Sequence, residues 1–271
     1  MMRKYVFYTA FFVLITIFTA SMLSSWIAPY DPVEPRLDHI KQPPSLSHWM
    51  GTDDRGRDVL SRILVGGKFS IAVGLVSTVC ALLVGVALGF LSGYFGGWCD
   101  SVVSLMTNIT LAFPSLLLAI GLSSAMKPGW RSVFFTLVAI GWAGFARLVR
   151  AQTLKLRTSP HVEAARVLGA GNTYIFVRHI LPLCSAVLIT AVTLRVGVAI
   201  LTESSLSFLG LGLQPPAPTW GGMVNQGRDF FRSAPWITLF PGMIITITII
   251  CLNIFGENFR LWWSKRFERT K

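Results

Sequence analysis

Six long apolar runs constrain this chain more than any other feature of its sequence. They occupy approximately residues 5–28, 70–94, 102–125, 132–148, 183–205 and 235–255. Each run approaches or exceeds the ~20 residues that an α-helix needs to cross the hydrocarbon core of a bilayer. Hydrophobic residues make up 53% of the chain and charged residues only 13%, a composition far from that of a soluble domain. The sequence therefore predicts an all-α polytopic membrane protein with six transmembrane helices.

The distribution of Lys and Arg predicts how the chain is oriented. The first run follows Arg3 and Lys4, but it is too long for the core of a cleaved signal peptide, so we interpret it as a retained anchor. Six crossings place both termini on one side. With the termini inside, inner segments hold thirteen of the 24 Lys and Arg residues and outer segments hold ten, which favours cytoplasmic termini.

We expect two regions along the chain. Residues 1–69 are predicted to form an anchor helix and an outer amphipathic segment, and residues 70–271 a five-helix core with a cytoplasmic loop at about 149–182. In the outer segment one helical face is apolar, acids crowd the N-terminal end, and Arg62 follows Asp58 at i, i+4. This pattern predicts an amphipathic helix on the outer surface, either as a simple interfacial anchor or with a further role.

A second outer segment, SSLSFLGLGLQPPAPTWGGMVNQGRDFFRSAPW, is rich in Gly and Pro. Trp220 and Trp236 within it are suited to the membrane interface. At nearly thirty residues the segment is long for a simple connection. We therefore regard it as a candidate binding surface for a partner protein, with Trp220 and Gly221 as its candidate contacts.

Polar residues inside the apolar runs are candidates for a transport pathway. Pro114, with Asn108 nearby, predicts a kink in the third run, and Asn108 either contacts a neighbouring helix or faces the pathway. The fifth run contains Arg195 and Glu203, eight residues apart. Charged groups at membrane depth face protein or water, so these two residues either line the pathway or have structural partners.

The inner loop contains the start and stop residues typical of two short helices. Ser159 suits an N-cap, Pro160 suits the first helical position, and Gly169 and Gly171 suit left-handed backbone after a helix. One helix is predicted over about 160–168 and another from about 172 to 182. Ala164 and Ala165 beside Glu163 leave little side-chain bulk, so another surface can approach the first helix closely.

The same loop carries a family resemblance. Glu163-Ala164-Ala165, then Gly169, then Leu181-Pro182 resembles the EAA loop of ABC importer permeases, although His179 stands where an Ile is common. The stretches GTDDRGRDVLSR and ESSLSFLGLGLQPPAPTWG are similar to signatures of the dipeptide, oligopeptide and nickel permeases, in particular of the second membrane subunit.

This resemblance implies a type I ABC importer permease fold in the bacterial cytoplasmic membrane. The implied partners are a second homologous permease, two ATP-binding subunits that hold ATP and Mg, and an extracytoplasmic solute-binding protein. This chain itself would bind no cofactor and catalyse no reaction. The residues implied to couple it to the ATPase are Glu163, Ala164, Ala165, Gly169, Leu181 and Pro182. The implied cargo is short peptides, nickel or metal-chelator complexes. Asn108 stands where relatives commonly have an acid, and the tail diverges after Gly256 and Glu257.

Other classes of function have less support in the sequence. A net charge of +12 suggests nucleic acid, but the cations lie beside the apolar runs, where lipid headgroups explain them better. The four cysteines form no CxxC pair, so neither a disulfide framework nor a metal site is indicated. An intramembrane enzyme would need a catalytic constellation, and Gly66-Gly67-Lys68 lacks the rest of a phosphate loop. A self-sufficient secondary transporter or channel is the remaining alternative, although no matching pair of interrupted runs is visible.

Overall fold

The computed structural model describes residues 2–268, with side chains described from residue 5 to residue 259 except at Ala186. The helices are α1 (Met2–Met22), α2 (Ser24–Ile27), α3 (Val59–Phe95), α4 (Gly97–Ala112), α5 (Ser115–Ser124), α6 (Trp130–Leu156), α7 (Pro160–Val167), α8 (Asn172–Ile175), α9 (Leu181–Phe208), α10 (Trp220–Gly227) and α11 (Trp236–Glu268). Short 3-10 turns lie at Leu37–His39 and Arg228–Phe230, and a π-helical turn lies at Phe176–Ile180.

The membrane-crossing helices follow the six apolar runs. Across the described part of the chain, α1, α3, α6, α9 and α11 are long and apolar enough to span a bilayer, and α4 with α5 makes a sixth, broken span. The predicted all-helical class is therefore confirmed. The kink predicted at Pro114 is also confirmed, and it is a bend of 95°. Pro114 has no backbone N–H and disfavours helical backbone at Phe113, which is extended with ψ 139°.

The helix of the second span begins earlier than its apolar run. Helix α3 is continuous over 37 residues from Val59, so the prediction of a separate amphipathic helix on the outer surface was wrong, and the helix starts before the apolar run that begins at Ser70. The helix also crosses the expected division between residues 69 and 70. Asp58 caps it, because its Oδ2 accepts a hydrogen bond from the Ser61 N–H at 2.8 Å. The predicted Asp58–Arg62 pair is replaced by other contacts, with Arg62 Nε 3.4 Å from Asp53 Oδ2.

Helices α3 and α6 pack closely along much of their length, because glycines on α3 let the two backbones approach. A Cβ atom built on Gly89 would lie 2.5 Å from the Ala146 carbonyl oxygen, and one on Gly85 would lie 2.6 Å from that of Trp142. Towards the inner end, Phe145 and Val149 of α6 join the largest buried apolar cluster. This helix pair therefore forms the centre of the bundle.

The inner connection is shorter and more helical than predicted. Helix α6 continues to Leu156, and α7 confirms the first predicted helix. Gly169 has the expected left-handed φ of 81°, whereas Gly171 has φ −68°, so that part of the prediction was wrong.

The second predicted helix does not end at Pro182. Helix α8 instead runs through the π turn into α9. The missing N–H of Pro182 explains the wider turn, in which the Leu181 N–H donates to the Phe176 carbonyl five residues earlier.

Candidate functional site

The predicted coupling helix, α7, is held against the bundle by one face. Val162 is fully buried and Ala165 is 9% exposed, both in the apolar cluster that contains Phe90 and Ile175. Glu163 is exposed to solvent on the other side of the helix. Ala165 therefore supports α7 from within, so its place on the predicted small outer face was wrong, while Ala164 is exposed as predicted.

The exposed end of α7 carries two large apolar side chains that sequence reasoning did not single out. Val167 is 87% exposed and Leu168 is 86% exposed. They precede Gly169, which has open space where its Cβ would be. Spacing alone does not give this result, because Leu168 follows Ala165 by three residues and would be placed beside it on the inward face. Its exposure follows from the end of α7 at Val167, with Leu168 as the C-cap residue. We call Glu163, Ala164, Val167 and Leu168 the inner tip.

Aromatic residues near the end of α3 join the inner tip to the bundle. The Tyr94 hydroxyl donates to Asn172 Oδ1 at 3.0 Å, and the Arg166 guanidinium lies 5.5 Å from the centre of the Tyr94 ring. One turn earlier, the Phe90 ring lies 4.1 Å from that of Phe176, centre to centre. The segment that presents the inner tip is thus held against α3 by Arg166 on α7 and by Asn172 and Phe176 after it.

Leu181 and Pro182, the last members of the predicted coupling set, lie at the first turn of α9. Pro182 is exposed and Leu181 is half-buried. They lie on the segment that leads from the predicted coupling loop into α9, and α8 and the π turn separate them from the inner tip. They shape this connection through the missing N–H of Pro182, as described above.

Asn108 faces α6, beside a polar cavity of about 210 Å³. Its Oδ1 accepts a hydrogen bond from Arg147 at 3.1 Å. Two turns towards the N-terminus of α4, the Asp100 carboxylate accepts hydrogen bonds from Arg150 Nε at 2.5 Å and from Arg150 Nη2 at 2.8 Å. Asn108 therefore both contacts a neighbouring helix and lines an open polar space, so the two interpretations of this residue are compatible.

Arg195 and Glu203 do not pair with each other. Glu203 is fully buried, and its carboxylate accepts from Ser207 at 2.7 Å and from Ser204 at 3.4 Å. The Arg195 guanidinium lies against Gly141 of α6, and no ion pair with a described carboxylate is formed. In this conformation Glu203 has structural partners, whereas Arg195 is a partly exposed cation at membrane depth, as a pathway residue would be.

Trp220 and Gly221 lie in the core, so neither is available as a surface contact in this conformation. Trp220 is fully buried, and its indole N–H donates to the Ile63 carbonyl at 3.0 Å. A Cβ on Gly221 would overlap the Ser204 backbone. The interfacial setting expected for Trp220 was therefore wrong, because the residue closes the contact between α10 and α3.

Buried charges lock the outer segment between α2 and α3 onto the bundle. His48 Nδ1 lies 2.9 Å from Asp58 Oδ1, and Arg57 Nε lies 2.8 Å from Asp53 Oδ2. Arg62 reaches Gln226 of α10 at 3.2 Å, which ties two distant outer segments together. On this support Leu46 is 97% exposed and Trp49 is 72% exposed. Leu46 and Trp49 thus form an exposed apolar surface on the outer face, which we call the outer tip.

Membrane-spanning helices with exposed apolar side chains at both ends of the bundle define an integral membrane protein whose two aqueous faces are suited to protein contacts. Residues 85–269 match the family described as binding-protein-dependent transport system inner membrane component, and the chain belongs to this family. It is a permease subunit of an ABC importer and a multi-pass membrane protein.

Relatives align over nearly the whole chain. The chain is 41% identical over 249 residues to a dipeptide transport system permease protein of Alkalihalophilus pseudofirmus, covering 92% of this chain and 80% of the relative. It is 36% identical over 260 residues to a glutathione transport system permease protein of Pectobacterium atrosepticum, covering 96% and 86% respectively.

The fold is shared with a solved ABC transporter. The chain superposes on an inward-facing structure of the MetNI methionine ABC transporter with a TM-score of 0.60 at 18% identity. The match covers 73% of this chain and 94% of the other. The type I importer permease fold implied by the coupling-loop motif is therefore confirmed.

Proposed function

We propose that this permease subunit imports short peptides and that α7 couples it to an ATP-hydrolysing partner. The similarity to permeases named for dipeptide and glutathione transport supports the peptide cargo. Nickel or a metal-chelator complex is the alternative cargo within the family. The proposal places substrate selection largely in a separate solute-binding protein, so the permease would provide passage and coupling.

The observation that carries the coupling role is the inner tip. Val167 and Leu168 expose almost their whole side chains, although α7 has an apolar face buried beside them. Burial of a Val or Leu side chain contributes roughly 1.5–3 kcal/mol, so a partner groove that covers both would gain substantial free energy. Val162 is buried under α7 and Arg166 stacks on Tyr94, and this prior ordering of the helix would lower the entropic cost of docking.

The proposed assembly follows from this role. A second homologous permease completes the membrane part, and two ATP-binding subunits, which hold ATP and Mg, dock at the inner tips. An extracytoplasmic solute-binding protein delivers the cargo. Both termini then lie in the cytoplasm of a bacterial cell, in agreement with the excess of Lys and Arg in the inner segments.

We place the contact with the binding protein at the outer tip rather than at Trp220. Leu46 and Trp49 are exposed, and the turn that holds them is fixed by a hydrogen bond from the Tyr30 hydroxyl to the Ser47 carbonyl at 2.9 Å. Aromatic side chains on a rigid support are frequent anchors of protein interfaces.

The decisive test places a charge in the inner tip. Leu168→Asp should abolish recovery of the ATP-binding subunits with the membrane subunits and should stop ATP hydrolysis stimulated by the loaded binding protein. Ser101→Asp, an exposed position at the inner end of α4, is the matched control and should retain both. Normal recovery and stimulation in Leu168→Asp would refute the docking role. The cargo is tested separately, by uptake of a labelled dipeptide, glutathione and nickel into vesicles that contain the whole complex.

A further inference from the structure

An apolar cleft follows α9 where α3, α9 and α11 diverge, and it has a volume of about 400 Å³. Its walls include Leu82, Leu188, Val192 and Phe255. The Thr193 hydroxyl at the cleft is already bonded to the Ile189 carbonyl of its own helix, at 3.2 Å. The cleft therefore offers hydrocarbon walls and few polar groups to an occupant.

The shape of the cleft suits a chain-like occupant. Its lining extends along α9 and the preceding π turn from Val177 to Thr193, which is about 24 Å at the helical rise of ~1.5 Å per residue. This exceeds half of the ~30 Å hydrocarbon thickness of a bilayer. A second apolar cavity of about 360 Å³, between α1 and α9, shares Val192, Thr193 and Phe255 with the first. One occupant can thus extend from the inner surface to the middle of the membrane.

An exposed cation, Arg178, directly follows the cleft-lining residue Val177 in the chain. Arg178 is exposed, and it forms no ion pair with a described carboxylate. The π turn places Arg178 between the cleft-lining residues Val177 and Leu181, so its guanidinium is attached to the segment that forms this end of the cleft. A guanidinium matches the geometry of a phosphate group and is attracted to anionic lipid surfaces.

We infer that this cleft binds an anionic phospholipid, with an acyl chain along Leu188 and Val192 and the phosphate at Arg178. The bound lipid would fill the space beside the π turn, because Val177 belongs both to that turn and to the cleft wall. The lipid would thereby support the segment that joins the coupling loop to α9. This site involves neither the inner tip nor the cargo, so it does not depend on the proposed function.

The test uses the complete transport complex, purified and reconstituted in vesicles of phosphatidylcholine with or without phosphatidylglycerol. Lipid that stays bound after extraction into detergent is measured by mass spectrometry. Arg178→Gln should reduce the bound phosphatidylglycerol roughly fivefold, the effect of one lost Lys or Arg contact with an anionic lipid. Arg178→Lys should restore most of it. Lys155→Gln removes an exposed inner cation from the end of α6 and is the matched control, which should leave the bound lipid unchanged.

A second variant tests the cleft itself. Val192→Trp fills the apolar space and should reduce the retained lipid even with Arg178 intact. Equal amounts of phosphatidylglycerol in wild type and in both variants would overturn the site. Loss of lipid with Val192→Trp but not with Arg178→Gln would overturn the assignment of the headgroup. Failure of Val192→Trp to assemble with the second permease, with no lipid retained by wild type, would assign the cleft to a protein helix instead.

Discussion

Replacement of Gly89 by alanine tests the close packing of α3 on α6. The new Cβ would lie 2.5 Å from the Ala146 carbonyl oxygen and 2.9 Å from Val149 Cβ. Even weak C–H···O contacts keep C and O about 3.3–3.6 Å apart, so the helices would have to separate locally by about 1 Å. Overpacking of this kind costs about 1–3 kcal/mol.

Gly144→Ala is the matched control, because Gly144 also lies inside a long helix but has no atom within 4 Å of its Cβ position. Any gain in helix propensity is common to both variants and cancels in their difference. We therefore expect Gly89→Ala to unfold about 1–3 kcal/mol more easily than Gly144→Ala. The measurement is the unfolding of the purified chain in mixed micelles titrated with sodium dodecyl sulfate. Equal stability of the two variants would refute the proposed backbone contact.

Three further perturbations address the polar residues. Glu163→Lys should leave insertion in the membrane unchanged but lower substrate-stimulated ATP hydrolysis, since Glu163 is exposed on the inner tip; normal stimulation would count against a charge-dependent dock. Glu203→Ala should reduce the folded yield by the equivalent of about 1–3 kcal/mol, because it leaves the Ser207 hydroxyl buried without its acceptor; full yield with lost transport would instead assign Glu203 to the pathway. Asp100→Arg combined with Arg150→Asp should recover stability lost in either single variant, by up to about 1 kcal/mol for this partly exposed pair; no recovery would show that the pair contributes nothing.

The membrane spans could be predicted because each is encoded by a local run of apolar residues. The break at Pro114 was also readable, since proline acts on its own helix whatever surrounds it. The size of the bend, 95°, was not readable, because it depends on how α5 packs against α6. Helix boundaries were predicted least accurately where a helix extends beyond its apolar run into polar sequence. The N-terminal end of α3 at Val59 is such a case, because its local composition suggests a segment at the membrane interface.

Distant contacts account for the features that the sequence could not predict. The Arg62 side chain can be buried in the first turn of α3 because Gln226, 164 residues away, accepts a hydrogen bond from its guanidinium. Trp220 is buried because the Ile63 carbonyl, 157 residues away, receives its N–H. Neither pairing leaves a periodic or compositional trace in a single sequence. The inner tip is an intermediate case, since its apolar residues are visible in the sequence but their exposure depends on which face of α7 is buried.

The unbroken course of α3 has a mechanical consequence for the whole protein. With 37 residues the helix is about 55 Å long, well beyond the ~30 Å hydrocarbon core. Its outer end holds the charge network around Asp58, and its inner end holds Tyr94 beneath the coupling segment. A single unbroken helix thus connects the two aqueous faces, so a tilt of α3 about its middle would displace its two ends in opposite directions.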